Sequence, residues 1–127
     1  MVTVRPAASA DVLAYYGEPS RHTMQAVMLE KGGELVGIIG VATLPGRRVL
    51  FSEYKPELGD DIRSFAVRRA AIEMTRLAIS SKLPVFSVKE EESDVLERLG
   101  FERVSGDLYQ WPSSQPSPRT SKQPPPP

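Results

Sequence analysis

Cysteine is absent from the chain, and histidine occurs once among 127 residues. Without cysteine there are no disulfide bonds, no thiolate metal sites and no cysteine nucleophile, and the composition fits a reducing compartment. The one histidine, His22, lies in a polar loop without a cluster of further metal ligands, so no metal site is predicted. Sixteen basic and sixteen acidic residues leave no net charge, which argues against a nucleic-acid partner.

Long apolar runs are also missing. No stretch reaches the roughly 20 residues that a membrane-spanning helix needs, and residues 1–6 lack the pattern of a signal peptide. The remaining composition is ordinary, because 40% apolar and 25% charged residues are the proportions of a globular protein. The 127 residues suffice for one domain. We therefore expect a soluble, cytoplasmic protein without a membrane partner.

The composition changes abruptly at Pro112. The last sixteen residues, PSSQPSPRTSKQPPPP, contain seven prolines and no aliphatic or aromatic side chain. Such a segment cannot bury enough surface to offset its ordering entropy, and it favours extended polyproline II conformations. The sequence therefore predicts a domain over residues 1–111 and a flexible Pro-rich tail over residues 112–127. We interpret the tail as a solubilising linker or, alternatively, as a docking peptide for a protein partner.

Alternating apolar and β-branched residues, separated by turn signals, predict seven strands, and three segments have helical patterns. Lys31-Gly32-Gly33-Glu34 and Pro45-Gly46 are turn signals, Ser9 is the expected cap of the first helix, and Gly100 ends the last helix. Strands that alternate with helices after an initial meander indicate an α+β or mixed α/β fold in three layers. The predicted strands are 2–5, 24–30, 35–44, 49–54, 85–88, 101–104 and 108–110, and the predicted helices are 10–16, Asp60 or Asp61 to about 81, and 94–99.

Four segments carry a family resemblance through their order and spacing. They are VTVRPAASADV at 2–12, ELVGIIGVA at 34–42, RRVLFSEYKPE at 47–57 and VLERLGFERV at 95–104. Together they resemble the GCN5-related N-acetyltransferase (GNAT) superfamily over about residues 2–111. In that family the first segment forms the first strand and the entry to the first helix, and the second segment forms the third strand. The third segment forms the fourth strand with the cofactor turn, and the fourth forms a helix, a Leu-Gly-Phe sequence and a strand near the C-terminal end. The resemblance implies a mostly antiparallel central sheet of about six or seven strands, with a long helix and shorter helices packed on it.

The turn after the fourth strand is where the resemblance places a cradle for the pyrophosphate of acetyl-CoA. The family has Arg/Gln-x-x-Gly-x-Gly/Ala there, and glycine lets backbone amides approach the anion closely. This chain has one glycine and two acids in the matching positions, Gly59, Asp60, Asp61 and Ile62. The two carboxylates are predicted to begin the long helix and to repel a diphosphate. Each charge-assisted hydrogen bond lost removes about 1.5–3 kcal/mol, whereas micromolar binding requires about 8 kcal/mol in total.

Two further positions bear on acyl transfer. Many GNAT enzymes place a tyrosine just before the Leu-Gly-Phe segment to protonate the leaving thiolate, and the match here is Leu96, which has no proton to donate. A carboxylate on strand four often serves as the general base, which makes Glu53 the candidate catalytic residue. Glu53 is alternatively a solvent-facing strand position without a chemical role. The region between the first two strands also has one helix where the family usually has two.

The small size, the short N-terminal region and the altered cofactor turn resemble, more loosely, the GNAT-like proteins of short-tailed bacteriophages. This resemblance implies a virion-associated assembly or protein-binding module with a degraded site and no cofactor, which is the first hypothesis. The second hypothesis is an acetyl-CoA-dependent N-acetyltransferase, in which backbone amides around residues 59–62 hold the diphosphate and Glu53 is the base. The sequence identifies neither the protein partner nor the acceptor nor the oligomeric state.

Overall fold

The computed structural model describes residues 2–18, 23–88 and 95–112. The order of elements is the predicted one, and none of the helices in these ranges is both long and apolar enough to cross a membrane. The strands are β1 (Val2–Pro6), β2 (Thr23–Lys31), β3 (Glu34–Leu44), β4 (Arg47–Tyr54), β5 (Val85–Val88), β6 (Glu102–Ser105) and β7 (Leu108–Gln110). The α-helices are α1 (Ser9–Tyr16), α2 (Phe65–Ile79) and α3 (Val95–Leu99), and a 3₁₀ segment, Pro56–Arg63, precedes α2.

The seven strands of the described ranges form one sheet in the order β1-β2-β3-β4-β5-β7-β6. Neighbouring strands are antiparallel except β4 and β5, which are parallel and are joined through the 3₁₀ segment and α2. The β2–β3 hairpin turns at Gly32 and Gly33, whose φ angles of 61° and 82° favour glycine at both positions. This mixed α/β architecture with its mostly antiparallel sheet confirms the predicted fold class.

One face of the sheet carries the main hydrophobic core. From α2 this core receives Val67, Ala70, Met74 and Ala78, which recur at the spacing of one helix face. Leucines of α3 belong to the same cluster, so α2 and α3 lie on the same side of the sheet. The other members are Val2, Leu29, Val36, Ile39, Val41, Leu50, Leu58, Val85, Leu96, Leu99, Phe101, Tyr109 and Trp111.

The opposite face of the sheet is covered by α1 next to β1 and β2. Met28 and Ile38 are 0% exposed on this face, where they alternate along their strands with residues of the main core. Arg5 stands opposite Met28 in the β1–β2 register, so its side chain projects from the same face. Its guanidinium forms ion pairs with Asp11 of α1 at 2.8 Å and with Glu30 of β2 at 2.7 Å. These pairs fix α1 to the sheet.

The first helix is capped differently from the prediction. Its N-cap residue is Ala8 and not Ser9, and the cap residue offers no side-chain hydrogen bond. Instead Asp11 Oδ2 accepts the Ala8 N–H at 2.7 Å, while Asp11 Oδ1 accepts from Arg5 at 2.8 Å. The carboxylate satisfies a helix-terminal amide and an arginine at once, which a serine at position 9 does not do.

The ion pair of Arg5 and Asp11 predicts a pH dependence of stability. The Arg5 guanidinium, with a smaller effect of the Ala8 amide, lowers the pKa of Asp11 to about 2. Because the pKa of aspartate in an unfolded chain is about 3.9, the pair stabilises the fold fully above about pH 4 and stops doing so as the pH falls to about 2.

We therefore expect Asp11→Asn to lower the melting temperature by a constant amount between about pH 8 and pH 5, and the difference from wild type to shrink between about pH 4 and pH 2. Thermal melts of both proteins check this, with Asp60→Asn, a change at an exposed carboxylate, as the control for the loss of one negative charge. A difference that persists unchanged at about pH 2 contradicts the prediction.

The C-terminal end of α2 is tied to β4 by Arg48. Its Nη1 donates to the main-chain oxygens of Leu77 at 2.8 Å and Ala78 at 3.4 Å. These are carbonyls that a helix end leaves without intrahelical partners, and a cation there also complements the helix dipole. Arg48 therefore fixes the C-terminal end of α2, and the N-terminal end of the same helix lies at the candidate site.

Candidate functional site

The candidate site lies where β4 and β5 part. Parallel pairing joins residues 48–50 to residues 85–87, and β4 continues beyond Leu50 to Tyr54. At the last pair the hydroxyl of Ser87 donates to the main-chain oxygen of Leu50 at 2.7 Å, and Ser87 is only 4% exposed. A side chain therefore satisfies a strand carbonyl at the point where the described pairing ends. A ligand entering between the two strands would enter at this end of the sheet.

The chain that follows β4 turns before it becomes a regular helix. The 3₁₀ segment Pro56–Arg63 is interrupted at Gly59, whose φ of 57° and ψ of −137° strongly favour glycine. Leu58 is 1% exposed and belongs to the main core, so it holds the segment against the sheet. The long helix begins only at Phe65. The predicted helix start at residues 60–61 is wrong, because these residues are still part of the 3₁₀ segment and the extended backbone of Ser64, with a ψ of 156°, separates that segment from α2.

The two acids of this segment differ in their surroundings. Asp61 Oδ2 lies 3.0 Å from Nζ of Lys31 at the end of β2. The same ammonium group donates to the main-chain oxygens of Glu57 at 3.3 Å and Leu58 at 3.5 Å. Asp60 is exposed. One of the two charges that were predicted to repel a diphosphate is therefore compensated by a cation from a distant strand.

The N-terminus of α2 is capped by the side chain of Ser64, the residue before the helix. Ser64 Oγ accepts the Val67 N–H at 3.3 Å, and the first turn of the helix contains no acidic residue. Next to this turn, Ile62 is 43% exposed and Phe65 is 74% exposed. We call the surface formed by residues 59–67 the mouth. It combines a helix terminus, whose first amides lack intrahelical acceptors, with exposed apolar side chains.

Glu53 lies on the face of the sheet opposite the main core. It is exposed and stands opposite Ile38 in the β3–β4 register. The hydroxyl of Tyr15 in α1 lies 3.5 Å from the main-chain oxygen of Glu53, and Nζ of Lys55 lies 4.9 Å from the centroid of the Tyr15 ring. The helix α1 therefore reaches the end of β4 next to Glu53. A base at this position could accept a proton from an amine approaching over this face, and the catalytic role of Glu53 stays a prediction.

The position that the resemblance implies for a general acid is part of the core. Leu96 is only 9% exposed. The next residue of α3, Glu97, accepts at Oε1 a hydrogen bond of 2.5 Å from the hydroxyl of Tyr109, a buried residue of β7. His22 and the tail after Pro112 lie outside the described residues. Within residues 2–18, 23–88 and 95–112, no group of three or more His, Cys, Asp or Glu side chains is arranged to hold a metal ion.

The predicted site residues share one end of the sheet. Glu53 lies near the end of β4, and residues 59–62 follow in the 3₁₀ segment. Their part in ligand binding stays a prediction. Two residues of the same region were not predicted, namely Lys31 and Ser64. Ser64 precedes an apolar helical run and is a recognisable N-cap signal, whereas nothing in the β2–β3 hairpin sequence links Lys31 to the 3₁₀ segment.

The sheet order, the parallel β4–β5 pair and the helix that joins these two strands define a GNAT-like fold. The structure is similar to the ribosomal-protein-S18-alanine N-acetyltransferase from Escherichia coli, with a TM-score of 0.60 and 14% sequence identity over 91% of this chain and 96% of that one. It is also similar to an acetyltransferase from Agrobacterium tumefaciens str. C58, with a TM-score of 0.52 and 20% identity over 87% of this chain and 90% of that one. No protein-family profile matches the chain, and no curated protein sequence does. At these identities the likeness establishes the fold and leaves the activity open.

Proposed function

We propose that this chain is a GNAT-fold protein that does not carry out acyl transfer and acts as a protein-binding module. The composition of the mouth carries the proposal. Ile62 and Phe65 expose 43% and 74% of their surface at the place where a diphosphate cradle requires closely approachable amides. These two side chains offer an apolar anchor to a protein partner and no hydrogen-bond donor to an anion.

Two features of the mouth weaken its fit to acetyl-CoA. Ser64 Oγ already accepts the Val67 amide, and Asp60 is an exposed carboxylate. A micromolar ligand needs about 8 kcal/mol, and each charge-assisted hydrogen bond that is missing removes about 1.5–3 kcal/mol. No step of acyl transfer is therefore assigned to these residues.

The partner we propose is another protein in a bacteriophage or prophage setting. The looser resemblance to the short GNAT-like proteins of short-tailed phages supports a component of the virion or of its assembly. The Pro-rich sequence after Pro112 offers a second contact, because polyproline II segments dock on aromatic surfaces at low entropic cost. The mouth would supply the apolar anchor of the complex.

Phe65→Lys is expected to weaken the association of this protein with virions or assembly intermediates about thirtyfold, because the loss of an aromatic anchor typically removes about 2 kcal/mol of binding free energy. Deleting residues 112–127 is expected to weaken the association further. Glu73→Gln, a change at an exposed position on the same helix, is the control. Quantitative immunoblots of purified particles measure the effect. Recovery of the wild type only as free protein would overturn the proposal, as would variants that associate like wild type.

A second function, acetyl-CoA-dependent N-acetyltransferase, is favoured by two observations. The described β4–β5 pairing ends at Leu50, and Lys31 compensates the charge of Asp61. In this function, backbone amides around residues 59–62 hold the diphosphate. Glu53 takes the proton of the acceptor amine, directly or through water.

A thermal titration with acetyl-CoA separates the two functions. With about 1 mM ligand, a Kd of about 10 µM would stabilise the fold by about 2.7 kcal/mol, which raises the melting temperature by roughly 10 °C. The protein-binding function predicts no rise. A rise that Asp60→Gly enlarges, together with amine acetylation that Glu53→Gln abolishes, would establish the transferase instead.

A further inference from the structure

The solvent-facing side of α2 carries a row of exposed side chains that starts in the mouth. Phe65, Arg69 and Arg76 are four and seven residues apart, so they project from the same side of the helix, away from its core-facing side. Phe65 is 74% exposed, and both arginines are exposed. At about 1.5 Å per residue these three side chains, which we call the α2 row, extend over about 16 Å of helix.

Positive charge is concentrated around the α2 row. Residues 63–82 contain five basic residues, all of them exposed, and one acid, Glu73. The rest of residues 1–111 contains nine basic and fifteen acidic residues. The chain as a whole is neutral, so its charge is divided between a basic helix surface and an acidic remainder. Such a division attracts a negatively charged partner to one surface of the molecule.

The two arginines of the α2 row are able to bind carboxylates of another molecule. Arg69 Nε donates to Glu73 Oε1 at 3.0 Å, and the two side chains are 69% and 56% exposed. This bond uses one donor atom of the guanidinium and leaves its two Nη groups for a second carboxylate. Arg76 forms no ion pair with another of the described residues. Glu73 therefore orients Arg69 without saturating it.

We propose that the α2 row binds an acidic segment of the protein partner, in which carboxylates are interspersed with apolar side chains. This inference rests on the proposed function and gives the partner a chemistry. Arg69 and Arg76 pair with the carboxylates, and Phe65 contacts an apolar side chain of the same segment. Arginine and aromatic residues are enriched in protein interfaces, and a guanidinium binds a carboxylate through two parallel hydrogen bonds.

The distribution of charge favours an acidic polypeptide over a nucleic acid. A nucleic acid carries a phosphate on every nucleotide, so a strand longer than the α2 row would also meet the acidic remainder of the domain. The exposed carboxylate of Asp60 in the mouth would repel it as well. A polypeptide segment can place a few carboxylates against the arginines and neutral residues elsewhere. The exposed ring of Phe65 then has apolar side chains to contact.

Charge reversal of the α2 row tests the proposal on virions or assembly intermediates. Arg69→Glu combined with Arg76→Glu should weaken the association of the full chain at least about tenfold, because like charges would then face each other. Raising the salt concentration from about 50 to 500 mM should weaken the wild type more than this variant. Arg47→Glu combined with Arg103→Glu changes the net charge equally at exposed positions of β4 and β6, and it should bind within about threefold of wild type. Circular dichroism confirms that both variants are folded.

The same assay separates this inference from the proposed function. If Phe65→Lys weakens the association and the reversal of Arg69 and Arg76 does not, the acidic partner is overturned while the protein-binding function stands. An equal loss in the reversed α2 row and in the β4 and β6 control also overturns the inference, because net charge alone would then explain it. If the wild type does not associate with particles, the proposed function fails, and a defined probe decides about the α2 row.

The probe is a labelled dodecapeptide of four Glu-Leu-Ser repeats, and fluorescence anisotropy measures its binding to the full chain. We expect a Kd below about 500 µM at about 150 mM salt, and at least about tenfold weaker binding to the protein with Arg69→Glu and Arg76→Glu. The same peptide with glutamine in place of glutamate should also bind at least about tenfold more weakly. A peptide that does not bind the wild type overturns the proposal. Tighter binding of a single-stranded uridine dodecamer overturns it too, because the α2 row would then be a nucleic-acid surface.

Discussion

Replacing Gly40 by valine is expected to lower the free energy of unfolding by about 3 kcal/mol, which corresponds to a fall of roughly 10–20 °C in melting temperature. Gly40 lies in the middle of β3 and is buried. A Cβ built on it would lie 2.7 Å from Ala26 Cβ, 2.7 Å from Phe51 Cζ and 2.9 Å from the main-chain oxygen of Gln25. The phenyl ring can move away, but the oxygen belongs to the backbone of the paired strand. Relief therefore requires displacement of β2 from β3.

Ala42→Val is the matched control for this prediction. It enlarges a side chain on the same strand and the same face, but at a half-buried position two residues further on. We expect a change within about 0.5 kcal/mol. Urea unfolding of the variants at low protein concentration measures the difference. A Gly40→Val protein as stable as wild type would mean that the close approach between β2, β3 and Phe51 is not present in solution.

The second large effect is expected from Leu58→Ala, which should lower the free energy of unfolding by about 2–5 kcal/mol. Leu58 is 1% exposed and is the residue that joins the 3₁₀ segment to the main core. Truncation leaves a cavity beneath this segment, and the remaining attachment through Lys31 is a partly exposed ion pair with two carbonyl contacts. Exposed pairs contribute only about 0–1 kcal/mol, so they cannot replace the lost packing.

Hydrogen exchange and chemical unfolding measure this effect together. We expect the amides of residues 56–63 to exchange faster in Leu58→Ala than in wild type, in addition to the global loss of stability. Ile62→Ala shortens another apolar side chain in the same segment, but one that is 43% exposed, and it should change stability by less than about 1 kcal/mol. Equal effects of the two substitutions would show that the segment is not held by Leu58.

The order of elements could be predicted because each one is encoded locally. Every predicted strand overlaps an observed one, since alternation of apolar residues and the turn at Gly32 and Gly33 are signals within a few residues of each other. Gly100 ends α3 as expected, with its N–H bonded to the oxygen of Leu96 at 3.1 Å. The family resemblance supplied the way in which these elements are arranged in one sheet.

The beginning of α2 could not be predicted in the same way, because local signals compete there. Pro56 and the acids at residues 60–61 are signals of a helix N-terminus, and so is Ser64. The burial of Leu58 decides between them, and burial is a tertiary property. The contact between Lys31 and the 3₁₀ segment is equally invisible in the sequence, because the two partners lie on elements separated by two strands.

The borders of the sheet bear on how the protein behaves when it is crowded. One border is β1, which ends in Pro6, a residue without an N–H to donate. The other is β6, four exposed residues whose pairing with β7 is irregular between Arg103 and Ser105. Short, charged and irregular borders resist the addition of further strands. At high local concentration the folded protein should therefore not polymerise into fibrils by extending its sheet from chain to chain.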